Sequence, residues 1–129
     1  MSTKVAAVLC VEHVEPSLAF FEAVGFKRTV EVPEGSGLGF VIAQRDEAEV
    51  MLQSYSSATA DQTTIDPKEI RSMRTILFIE IDDLLTIERA LKSHKIVVPR
   101  RKTPYGADET GYREPGGHIV VFAQFPKKD

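Results

Sequence analysis

The 129-residue sequence contains a single cysteine, Cys10, so an intramolecular disulfide framework is excluded. Cys10 lies in an apolar run and reads as a small buried hydrophobe. No apolar run approaches the ~20 residues that span a bilayer, so no membrane partner is expected. The opening Met1-Ser2-Thr3-Lys4-Val5 lacks the charged region, apolar stretch and cleavage site of a signal peptide. A reducing cytoplasm is the expected setting. Positive charge is also scarce: a net charge of −3 and a pI near 5.6 leave no basic stripe for phosphates, which argues against a nucleic-acid partner. The one basic cluster, Arg100-Arg101-Lys102, is short and fits a solvated loop or strand edge.

What is present is the composition of an ordinary soluble domain, 43% hydrophobic and 27% charged. At this length it makes one compact domain or two small modules sharing a core. The run from Arg113 to Ala123 combines a Pro115-Gly116-Gly117 turn with the β-branched and aromatic series Ile119-Val120-Val121-Phe122. Such a run reads as a strand buried on at least one face. It has an echo 70 residues earlier, because Val121 maps onto Met51, Ile81 onto Val11 and Ile96 onto Phe26. One offset repeated over most of the length marks two copies of one unit.

The first copy opens with a strand over 5–11. Pro16 suits a first helical turn and Gly25 a helix end, with Leu18, Phe21 and Val24 at helical spacing between them. Strands follow over 28–32, 38–44 and 48–55. Residues 56–64 are small and polar, without periodicity, and read as a connection; Asp66-Pro67 could start a short helical turn. The second copy repeats the order: a strand over 75–81, a helix capped by Asp82 or Asp83, then strands at 96–99, 110–113 and in the final run. The fold class is therefore α+β, with two βαβββ units.

Alternation assigns the faces. Val5, Ala7, Leu9 and Val11 share an apolar face with Val50 and Leu52, and Leu77, Ile79 and Ile81 share one with Val120 and Phe122; these should lie under the helices. The opposite faces carry Val8, Cys10, Met51 and Gln53 in one copy and Ile76, Phe78, Glu80 and Val121 in the other. An apolar lining with sparse polar groups suits a ligand cavity.

The segment Val11-Glu12-His13-Val14-Glu15-Pro16-Ser17-Leu18-Ala19-Phe20-Phe21, followed by Val24-Gly25-Phe26, resembles the strand-to-helix segment of the vicinal-oxygen-chelate superfamily. That superfamily groups glyoxalase I, fosfomycin- and bleomycin-resistance proteins and extradiol dioxygenases. Glu114-Pro115-Gly116-Gly117-His118 is similar to the turn before its final strand. The resemblance implies one domain over 1–129, with module one at 1–55, a connection at 56–72 and module two at 73–129. It also implies a mixed sheet curled around a cavity and a homodimer. Enzymes of the family bind a divalent metal at four positions, which the resemblance places on Ala6, Met51, Ile76 and Val121. None of these offers a hard oxygen or an imidazole, and among their neighbours only Thr75 has even a hydroxyl, so no metal and no other cofactor is expected.

The three histidines lack metal-ligand spacing; His13 suits a cap or the surface, His94 a helix C-terminus, and His118 the strand's end or its helix-covered side. Glu80 is the candidate base, a carboxylate beside Phe78 on the cavity face; the alternative is a wet strand end paired with Arg or Lys. Gln53 could orient a ligand, and Tyr112 and Arg113 could close over one or lie on the surface. Gly35-Ser36-Gly37 reads as a hairpin turn. The expected binding set is thus Met51, Gln53, Ile76, Phe78, Glu80, Tyr112, Arg113 and Val121. The expected function is binding of a small apolar or antibiotic-like molecule without metal, by sequestration. The alternatives are a lyase, isomerase or dioxygenase with a relocated metal or with metal-independent chemistry at Glu80, and a structural dimer with no ligand.

Overall fold

A computed structural model describes residues 2–127. Contacts divide the chain between Met73 and Arg74 into two units. The first runs β1 (Ala7–Val11), α1 (Val14–Ala23), β2 (Lys27–Glu34), β3 (Gly37–Arg45), β4 (Ala48–Ser54), α2 (Tyr55–Asp61) and α3 (Pro67–Ser72). The second runs β5 (Ile76–Glu80), α4 (Leu84–Ala90), β6 (Ile96–Lys102), β7 (Asp108–Arg113) and β8 (Ile119–Gln124). Each unit holds a four-stranded mixed sheet, ordered β1-β4-β3-β2 and β5-β8-β7-β6. The first strand of each unit runs parallel to the last, and the other neighbours are antiparallel. The α+β class and the two βαβββ units are as the repeat implies.

The helices form where the sequence punctuates them. Gly25, at φ 93°, lets Phe26 N–H reach Phe21 O (3.0 Å) and its own N–H reach Glu22 O (3.1 Å). This is a Schellman closure, and its hydrophobic contact is the edge-on pair Phe21–Phe26 at 5.3 Å. His13 stands at the N-cap of α1 without a side-chain bond, whereas Asp83 caps α4 by accepting from Leu85 N and Thr86 N. Beneath α1 lie Leu9, Val11 and Leu52, all fully buried, and Val120 and Phe122 are equally buried in the second sheet. Burial of each such side chain is worth roughly 1.5–3 kcal/mol.

Three expectations need correction. Val5 is 86% exposed, because β1 starts only at Ala7 and the alternation does not extend back to it. The 56–72 connection is largely helical: α2 is capped by Ser54, whose Oγ accepts from Ser57 N, and α3 by Asp66 with Pro67 in its first turn. Their buried residues Tyr55, Ala58 and Ile70 form one cluster, against which Cys10 and Ile65 pack. The third concerns the repeat. Phe40 pairs with Gln53 and Glu109 with Ala123, so β8 follows β4 by 70 residues but β7 follows β3 by 69. A one-residue slip exchanges the faces of a strand. Tyr112 therefore stands where Ala43 does, on the buried side.

Candidate functional site

In the first unit, the sheet face opposite α1 is covered by the helices of the former connection, and a cleft of about 650 Å³ lies between them. Its floor is Val8, Cys10, Phe40, Met51 and Gln53, and its walls include Ser57, Asp61 and Ile70. The pairing of β1 with β4 sets Val8 beside Met51 and Cys10 beside Gln53, so these side chains project together from one face. Most of the lining is apolar. Gln53, 9% exposed, donates from Nε2 to Ser57 Oγ (3.1 Å), which orients its amide toward α2. Burial pushes the Cys10 thiol up, so it stays protonated at neutral pH and is a weak nucleophile.

The wall is tied down by polar contacts. Glu34 Oε1 accepts from Ser54 Oγ (2.6 Å) and Ser56 Oγ (2.9 Å) at the start of α2. From α3, the Arg71 guanidinium lies 4.9 Å above the centre of the Tyr55 ring, and Arg71 Nη1 donates to Glu12 (3.4 Å).

In the second unit the matching sheet face carries Ile76, Phe78 and Glu80 on β5, paired with Ile119, Val121 and Ala123. Ile76 and Phe78 are well exposed, and Glu80 stands exposed at the strand's end rather than enclosed among apolar groups. Gly111 lies between Val98 of β6 and Val121 of β8; a Cβ there would come within 2.8 Å of Val98, so β6 and β7 need glycine at this close approach. Of the predicted binding residues, Met51 and Gln53 are brought together in the cleft, and Ile76, Phe78, Glu80 and Val121 share the second face. Tyr112 does not join them. It is buried on the helix side, edge-on to Phe122 at 6.2 Å. Arg113 sits level with Ile119, and its Nη1 donates to Gly117 O (2.9 Å), bracing the turn.

That turn is held from within. Glu114, 1% exposed, accepts from Gly116 N (2.6 Å) and His118 N (2.9 Å). His118 Nδ1 accepts from Thr75 N (3.1 Å), so this histidine joins the final turn to the start of β5. Sequence reasoning missed the cleft's α2 and α3 wall, because their small polar residues show no apolar period, whereas α4, of the same 7 residues as α2, carries Leu84 and Ile87 at helical spacing. It also missed Glu109, 2% exposed, which is held by Arg101 Nε (2.8 Å) and Tyr105 Oη (3.0 Å). The signal available was the Asp108-Glu109 pair at the start of a strand-like run, and which of the two turns inward is visible only once the register of β7 is known.

The four positions implied for a metal carry a methyl, a thioether and two alkyl side chains, a donor set that does not fit a hard or borderline divalent ion. Among the described residues, no three His, Cys, Asp or Glu side chains converge on one point.

The family model of the glyoxalase/bleomycin resistance protein/dioxygenase superfamily matches residues 5–122. A comparison with curated proteins gave no match. Among solved structures, TioX from Micromonospora sp. ML1 is similar at 14% identity, over 97% of this chain and all of that one (100%), with a TM-score of 0.75. Lactoylglutathione lyase from Agrobacterium tumefaciens is similar at 15% identity over 96% and 94% of the two chains, with a TM-score of 0.73. A bleomycin-binding protein complexed with bleomycin shows 18% identity over 97% and 100%, with a TM-score of 0.65. The likeness to these structures is one of fold. The extent of the family match makes this chain a member of the glyoxalase/bleomycin resistance protein/dioxygenase superfamily.

Proposed function

We propose that the protein binds a small, largely apolar organic molecule in the cleft of its first unit and holds it without a metal. The cleft itself carries this reading. It is a concave, mostly apolar space of about 650 Å³, of the size small ligands occupy, with Gln53 and Ser57 as its orienting polar pair. A relative that binds bleomycin lends support, as do the hydrocarbon and thioether side chains where metal ligands would stand. Ile76, Phe78 and Val121 supply a second apolar face, and Glu80 at its end is too exposed for the proton chemistry an enclosed carboxylate could perform. Tyr112 packs a core and lies outside this binding set, whereas Arg113, level with Ile119, lies on the second face and braces its turn.

The test is a thermal-unfolding screen of the purified protein against organic compounds, bleomycin among them, with chelator present. A ligand at a hundred times its Kd stabilises the native state by about 2.7 kcal/mol, a shift of several degrees. Gln53→Leu should weaken binding about five- to tenfold, the worth of one hydrogen bond. A panel that moves no midpoint, or a Gln53→Leu protein that binds unchanged, would contradict the cleft as the site. A homodimer belongs to the same reading; exposed Val30 and Val32 on edge strand β2 and Ile96 on edge strand β6 support it. Light scattering behind size exclusion should then give twice the 14.3 kDa chain mass.

A further inference from the structure

The exposed sheet face of the second unit carries a cluster that the cleft does not use. Phe78, Tyr105 and Phe125 form a triangle of rings, with centroids 6.4 Å (Phe78–Tyr105), 6.4 Å (Phe78–Phe125) and 6.0 Å (Tyr105–Phe125) apart. Tyr105 and Phe125 are inclined by only 31° and make one wall, while Phe78 stands across them at 66° and 64°. Three distant parts of the chain supply these rings: β5, the turn after β6, and the residues following β8. One row across the same sheet, Glu80–Ala123–Glu109, sets the small Ala123 between two carboxylates, and Glu109 holds the Tyr105 hydroxyl.

Two features distinguish this from a patch of core. Phe78 is 50% and Tyr105 57% exposed, so the aromatic dish is open to solvent. The turn is also built to present Tyr105. Ala107 N donates to Thr103 Oγ1 (3.0 Å), Gly106 takes a φ of 89°, and Tyr105 Oη donates to Glu109 Oε2 (3.0 Å). The charges are mixed, with a negative balance. Arg101 is committed to Glu109 at 2.7 Å, Glu80 is exposed, and Asp82 and Lys127 line the neighbouring hollow with Glu80 and Phe125.

From this geometry we infer that Phe78, Tyr105 and Phe125, with Glu80 at the rim, form an aromatic cage for an organic ammonium group, such as the trimethylammonium head of a soluble small molecule. A cation seated over such a triangle lies roughly 4–5 Å from all three centroids, inside the reach of cation–π attraction. A trimethylammonium group adds methyls that bury against the rings, and it cannot donate the hydrogen bonds that would favour water. Glu80 contributes long-range attraction without having to desolvate. The inference stands apart from the cleft, and either site can fail without the other.

The test uses choline and its neutral carbon isostere dimethylbutanol, in which a tert-butyl group replaces trimethylammonium, titrated into the full-length protein by calorimetry or NMR. Choline should saturate with a Kd of about millimolar, and the isostere should bind at least several-fold more weakly. Phe78→Leu and Tyr105→Leu should each weaken choline about five- to tenfold, and Tyr105→Phe, which keeps the ring, by less than about twofold. Because both side chains are half exposed, the thermal midpoint should stay within a degree or two, on the order of surface substitutions. Gln53→Leu, in the cleft, should leave choline binding unchanged. Equal binding of choline and isostere, no saturation by choline, or a Phe78→Leu protein that binds normally would each overturn the cage. Co-sedimentation with phosphatidylcholine vesicles in place of free choline binding would overturn the soluble ligand.

Discussion

Tyr112 shows how one register step decides what a side chain does. On a strand that kept the 70-residue offset it would face the open side of its sheet; one residue short, it packs edge-on against Phe122 under the helix. Burial, with the nearby Glu88 carboxylate adding to it, pushes the Tyr112 phenol above its ordinary 10.0. A group whose folded pKa is raised stabilises the native state fully below the unfolded value and loses that contribution as pH rises through the folded one. Stability should therefore decline above pH 10 as the unfolded chain ionises first. Tyr112→Phe, which keeps the ring packed, should flatten that decline and change stability at neutral pH by less than about 1 kcal/mol. Denaturant unfolding at stepped alkaline pH reads both, with the phenolate absorbance reporting ionisation.

At the scale of elements, the short helices after β4 turn an open sheet face into a cleft. Neither α2 nor α3 is long enough to be stable alone, and each depends on its cap and on the Tyr55–Ala58–Ile70 cluster. Ser54 serves α2 twice, accepting from Ser57 N (3.1 Å) and donating to Glu34 (2.6 Å). Ser54→Ala should cost about 1–2 kcal/mol, felt first as local opening. Hydrogen exchange should speed up at the amides of α2 while the amides of β4 keep their protection. The strands and the helices α1 and α4 were legible because their apolar spacing is sustained, with a glycine stop after α1 at Gly25 and an aspartate cap before α4 at Asp83. The covering helices were not, because small polar residues such as Ser56, Ser57 and Thr59 carry no period and only the sheet beneath selects their conformation. Asp66-Pro67 was the one readable sign, a cap followed by a residue suited to a first turn. Met51 and Gln53 could be placed on the cavity face from alternation alone, whereas Phe40 and Glu109 needed the hairpin registers.

For the whole molecule, the superfamily scaffold is retained, while the four positions that the resemblance implies for a metal carry Ala6, Met51, Ile76 and Val121. A fold hosts many chemistries, so the proposed binding rests on these side chains and on the cleft rather than on the architecture. An apolar lining binds through area removed from water, about 25 cal/mol per Å² before the costs of association, and that contribution does not involve a divalent ion. Ligand binding in the first unit's cleft should thus be independent of metal. The most direct measurement is calorimetric titration of the strongest compound from the thermal screen, before and after exhaustive chelation, with metal content determined on the same sample. The expected result is a substoichiometric metal content and a Kd unchanged within about twofold. Stoichiometric zinc, nickel, manganese or iron in the purified protein, or binding that chelation abolishes and added metal restores, would contradict it.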